Sequence, residues 1–247
     1  MEYFIFDANT IPDGLGFSHY SALHLVWLAF FVVLTVFCCL HYRRLSEKGR
    51  KIWRIVIAAL LIVDEVFKQV MLIAGGNWLP EYLPLHLCSI NIFLVTFHAF
   101  KPGKAVGNFL YTVCIPGALA ALLFPSWDKL PFMNFMHIHS FTVHILLAMY
   151  LMVLAVNGDI RPEAKQIPRC IAALLVLAVI MRMVNPLLDA NFFFMTSADK
   201  GNPLYWFQEN WGNHLYGFPV LVTAVLLVMH GPLALVRALR KKKAVAK

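Results

Sequence analysis

Seven stretches of this chain, at about 21–41, 52–74, 82–100, 104–124, 136–157, 169–190 and 214–236, are each apolar over about twenty residues. A bilayer core about 30 Å thick is crossed by about 20 residues of helix, and no water there can pair an open backbone. The pattern predicts an all-α membrane protein of seven transmembrane helices, a single integral membrane domain over residues 1–247. Composition points the same way. The chain is 60% hydrophobic and only 14% charged, with a mean hydropathy of +0.70, whereas a soluble domain is nearer half apolar and a quarter charged. Turn residues such as Gly75-Gly76-Asn77, Lys101-Pro102-Gly103 and Asn157-Gly158-Asp159 separate the stretches. The connection 191–213 is aromatic, with Phe192, Phe193, Phe194, Trp206 and Trp211, and suits a headgroup-level cap. The first twenty residues hold no Lys or Arg and no cleavable apolar run, so no signal peptide is expected.

Lys and Arg set the expected orientation. Arg43, Arg44, Lys48, Arg50, Lys51 and Arg54 follow the first stretch, and Lys101 and Lys104 follow the third. Arg161, Lys165 and Arg169 follow the fifth, and Arg237, Arg240, Lys241, Lys242, Lys243 and Lys247 follow the seventh. Only Lys129 and Lys200 fall on the opposite side. Positively charged loops stay cytoplasmic, which predicts an outside N-terminus and a cytoplasmic C-terminus. The net charge of +8 is then a topology and lipid-surface signal, and no folded basic face for nucleic acid is present.

Polar groups in hydrocarbon are costly unless paired or working, so those inside the stretches are the site candidates. The second stretch carries Asp64, Glu65, Lys68 and Gln69, with Glu65 and Lys68 one helical turn apart. The third carries His86, Cys88 and Asn91; on a continuous helix, positions 84, 88, 91, 95 and 98 would share one face. The fifth carries His137, Ser140 and His144 on one face and His139 on another, and the sixth carries Arg182, Asn185 and Asp189. With the predicted orientation most of these fall in the outer half of the membrane, as a shared outward-facing pocket requires. Interhelical hydrogen-bond glue is the plainer explanation for any one of them.

Three chemistries fit the set. Cys88 with a histidine of the fifth stretch makes a thiol–imidazole pair for acyl transfer, with His144 as base and His86 positioning. Glu65, Lys68, Asn91, His137, Arg182 and Asn185 are then candidates for binding substrate, with Lys68 or Arg182 suited to a phosphate or an oxyanion. A transporter or ligand-binding protein needs the same polar groups and no nucleophile. A zinc hydrolase would draw on His86, His137, His139, His144 and Glu65, but His137 and His139 are two apart, poor spacing for one metal. No cofactor and no metal are expected. The five cysteines show no zinc or disulfide spacing.

The run Leu-Pro-Leu-His-Leu-Cys-Ser-Ile at 83–90, the Asp64-Glu65 pair before it, His144, and Asn185 with Asn191-Phe-Phe-Phe resemble the bacterial YwaF family of integral membrane proteins over nearly the whole chain. That family is similar to eukaryotic transmembrane acyltransferases acting on ether phospholipids through a cysteine, and more distantly to threonine-dependent membrane lipid hydrolases. The resemblance implies a bacterial cytoplasmic membrane as location and a membrane lipid or lipid-like small molecule as partner. It also shows a departure. In the eukaryotic group the cysteine directly precedes the histidine, a place held here by Leu85, and Cys88 lies two positions beyond His86. The loop Gln208–Asn213 departs too, where the family would have a more proline-rich turn.

Reporter fusions after residue 78 and after residue 164 are expected to report outside and inside respectively. The same side for both would overturn the orientation.

Overall fold

The computed structural model describes residues 3–6, 9–198 and 202–245, with side chains described as far as residue 235. Of the charges that set the expected orientation, Lys200 and Lys247 lie outside the described residues. Arg237, Arg240, Lys241, Lys242 and Lys243 lie beyond the described side chains. Among the described residues every regular element is helical.

Helices α1 (Ala22–Arg44) and α2 (Glu47–Ala74) are joined through Leu45-Ser46 and both pack on a later helix, and α3 (Leu87–Phe100) follows against α2. The next crossing is broken into α4 (Lys104–Phe109), a π-helical turn Leu110–Cys114 and α5 (Ile115–Leu123). Pro116 near the start of α5 cannot donate a ladder bond, and the wider turn sits directly before it. Then come α6 (Phe135–Val156), α7 (Ile167–Leu188), the short α8 (Pro203–Trp211) and α9 (Gly217–Val245). Six segments are long and apolar enough to cross a membrane; α2 is long enough but too charged to be among them.

Helix α6 is the axis of the bundle. It packs against α1, α2, α3 and α5 and is buried on nearly all sides. A helix apolar all round is one that neighbours enclose. By contrast α7 and α9 turn most of their surface outward, to where lipid would lie.

Two boundaries differ from the sequence expectation, each for a local reason. Helix α2 begins at Glu47 and not near 52, because the Ser46 side chain accepts the Gly49 N–H as a cap. The basic residues from Lys48 to Arg54 therefore ride on its first turns. Helix α3 begins at Leu87 and not near 82. Pro80 starts a single 3-10 turn, Pro80–Tyr82, and Pro84 holds Leu83 extended at φ −54°, ψ 146°. Pro84 and Cys88 consequently do not share a helical face, while Asn91, Val95 and His98 do line the buried side of α3.

This non-helical stretch has its own partners. The Gln69 amide donates to the Tyr82 carbonyl at 2.6 Å and to Glu65 Oε1 at 3.1 Å, and accepts from the Trp78 indole at 2.9 Å. Lys68 Nζ lies 2.6 Å from the same Glu65 oxygen, with both side chains buried. Breaking a buried pair leaves an uncompensated charge, at about 3–5 kcal/mol in soluble proteins. Lys68→Met is therefore expected to lower the thermal stability of the purified protein sharply, and Glu65→Gln/Lys68→Met less so. A Lys68→Met protein as stable as wild type would show that the pair does not support the fold.

Candidate functional site

Cys88 is the second residue of α3, so its sulfur sits in the first helical turn. The backbone N–H groups there have no partner within the helix, and the cap residue His86 supplies none from its side chain. Ser89 N–H bonds the Cys88 sulfur. A first-turn position is where negative charge is best accommodated on a helix.

The Cys88 side chain hydrogen-bonds the imidazole of His144 on α6. His144 Nδ1 is 2.6 Å from the Ser140 carbonyl, one turn earlier. A carbonyl can only accept, so Nδ1 carries the hydrogen and Nε2 is left with the lone pair that can receive the thiol proton. The Trp127 indole stacks on the imidazole at 5.2 Å and 14°, fixing the ring plane. A tautomer set by a backbone bond and an orientation set by stacking are what an acid–base histidine needs.

Around this pair stand the charged groups of α2. Lys68 acts electrostatically on both Cys88 and His86, and Glu65 acts on His86. Asp64 acts on His144, while its Oδ2 faces His139 Nδ1 at 3.0 Å without hydrogen-bond alignment. His86 hydrogen-bonds the backbone of Glu81, and Phe192 meets its ring edge-on at 5.0 Å. Asn91, one turn deeper on α3, is buried with no partner for its Oδ1 among the described residues.

The structure thus brings Cys88, His144, His86, Glu65 and Lys68 together. It does not bring His137, Arg182 or Asn185 to them. His137 donates from Nδ1 to the Leu130 carbonyl at 3.1 Å and accepts the Trp27 indole N–H at Nε2, 3.0 Å, so both ring nitrogens are used in packing α6 against α1. Asn185 clasps the backbone of Phe192 on both sides, accepting its N–H at 2.9 Å and donating to its carbonyl at 3.1 Å. Arg182 donates to the Met195 carbonyl at 2.9 Å. The sequence did not reveal Trp127 over His144, Phe192 against His86, or the facing of Asp64 and His139. Trp127 lies in the Pro125-Ser126-Trp127 turn between α5 and α6, a place that carries no sign of chemistry in the sequence. Among the described residues no three of His, Cys, Asp and Glu converge as metal ligands.

A family model, that of the TMEM164 family, matches residues 15–230. The chain belongs to the TMEM164 family. It is a multi-pass membrane protein, as its spanning helices and this family indicate. No curated protein and no solved structure matches it. The Cys88–His144 contact lies inside the matched region of the family, as do α2 and the Phe192 loop.

His137→Leu separates the two histidines of α6. It orphans the Trp27 indole N–H and the Leu130 carbonyl, each costing about 1–3 kcal/mol when buried. The variant is expected to unfold at clearly lower temperature while Cys88 keeps wild-type alkylation kinetics. Unchanged stability would show that the His137 bonds contribute nothing.

Proposed function

We propose that the protein is a lipid acyltransferase or lipid hydrolase of a bacterial cytoplasmic membrane, with Cys88 as nucleophile, His144 as base and His86 positioning the reacting groups. The observation that carries this reading is the hydrogen bond between Cys88 and His144, with the histidine held at Nδ1 by Ser140. The resemblance of residues 83–90 to the YwaF family, itself similar to transmembrane acyltransferases, supports it, with Cys88 taking the role that their cysteine plays at the place held here by Leu85. We further propose that α2 is a seventh span, with the N-terminus outside and the site opening outward; the one-sided Lys and Arg distribution supports this orientation.

The Cys88 thiol gives its proton to His144 Nε2 as the sulfur attacks the carbonyl carbon of an acyl ester. The carbonyl electron pair moves onto oxygen, toward the first-turn end of α3. Collapse of the adduct breaks the ester C–O bond, and His144 returns its proton to the leaving alcohol, leaving an acyl thioester on Cys88. A lipid hydroxyl, or water, then gives its proton to His144 and attacks the thioester. The departing sulfur recovers the proton from His144. Lys68 and Glu65 line the substrate's polar part, with Asn91 beneath them.

The unpartnered Glu65 Oε2 and Asn91 Oδ1 favour a second reading, in which the same pocket only holds a ligand or a transported molecule. An alkyne-tagged acyl phospholipid distinguishes the two. Wild-type protein is expected to acquire a hydroxylamine-labile label that is lost in Cys88→Ala, and His144→Asn to label about 10²–10⁴-fold more slowly. A wild-type protein that never labels, or a label that survives Cys88→Ala, leaves only the binding reading.

A further inference from the structure

Arg182 is exposed on α7 among Val179, Ile180, Met183 and Leu187, all exposed and apolar, on a surface that faces lipid in a membrane protein. A cation on such a surface needs a counter-charge. Among the described residues no carboxylate pairs with it. Its described contact is one bond from Nη1 to the Met195 carbonyl. The guanidinium fork has five donors, so most of its capacity remains.

Beside it is a cavity of about 270 Å³, lined by Arg182, Asn185, Pro186, Asp189, Ala190 and Thr196. Arg182 lies six residues before the end of α7 at Leu188, about 9 Å below the helix end at 1.5 Å per residue. Its long side chain therefore reaches the level of the headgroups. The roof is the loop after α7, where Asp189, Phe193 and Phe194 all have positive φ (48°, 60° and 54°). Asn185, clasping Phe192, and His214, bonded to the Phe194 carbonyl at 2.9 Å, hold it there. The cavity is thus roofed by backbone that its neighbours hold in place, with an unpaired cation at its edge.

We propose that this cavity is a phosphate-binding site, separate from the Cys88 pocket, in which Arg182 takes a phosphate oxyanion at the membrane surface with Thr196 as a second donor. The planar guanidinium fork matches two phosphate oxygens, as a lysine would not. Asp189 lines the same cavity and opposes the anion, so it limits affinity. The phosphate belongs either to a lipid headgroup or to a free phosphate ion, and the site does not depend on the acyl chemistry proposed for Cys88.

The test uses the full chain in an uncharged detergent, with dihexanoyl phosphatidylglycerol, dihexanoylglycerol and inorganic phosphate as probes, read by native mass spectrometry and thermal shift. Saturable binding of the phosphatidyl probe is expected, with none of dihexanoylglycerol. Competition by inorganic phosphate identifies a site for the free ion, and its absence a site for the headgroup; both support a phosphate site. Arg182→Gln is expected to weaken binding about tenfold or more, as losing a charge-assisted pair does. Asp189→Asn is expected to tighten it, and asparagine tolerates the left-handed backbone at 189. Cys88→Ala is expected to bind as wild type does. Equal binding of dihexanoylglycerol, or Asp189→Asn binding no better than wild type, overturns the proposal even if Arg182→Gln fails to fold.

Discussion

A bilayer offers no water to a polar group, and that one constraint orders this molecule. Three buried histidines have each found a backbone carbonyl on another element. His24 bonds the Leu122 carbonyl, His137 that of Leu130 and His214 that of Phe194. These bonds tie loop ends to helices and fix the register of the bundle. His144 obeys the same rule within its own helix, by bonding Ser140. Because that bond uses only Nδ1, its other nitrogen is left for Cys88.

Helix α6 makes this arrangement possible. Being enclosed by four neighbours, it presents different polar residues to different helices: His137 to α1, His139 to α2 and His144 to α3. A structural histidine and a chemically poised one sit two turns apart on the same rod. Their difference lies in who accepts from or donates to each ring, and not in depth or residue type.

The helical nature of the chain, six of the seven expected spans and the cluster of costly polar residues were legible in the sequence, because length, hydropathy and spacing carry them. Glu65 with Lys68 was legible as well, since a one-turn pair is set by a single helix. What spacing could not carry was the identity of the neighbour. Arg182 and Asn185 have the same periodicity as the residues gathered around Cys88, yet they hold the loop after α7 through backbone atoms that no side-chain pattern records. His137 failed as a pocket residue for the same reason. The start of α3 was misjudged because the apolar run continues through Pro80 and Pro84, which hydropathy does not penalise but helical backbone does.

That late start sets a depth gauge. Helix α3 has 14 residues and runs about 21 Å, against about 30 Å of hydrocarbon, so about 9 Å of the crossing is made by the irregular chain before it. Cys88 stands at the inner end of that irregular chain, in the first turn of α3. Through the two prolines that shorten α3, the fold thus sets the sulfur where irregular chain gives way to helix, and not in the middle of a continuous span.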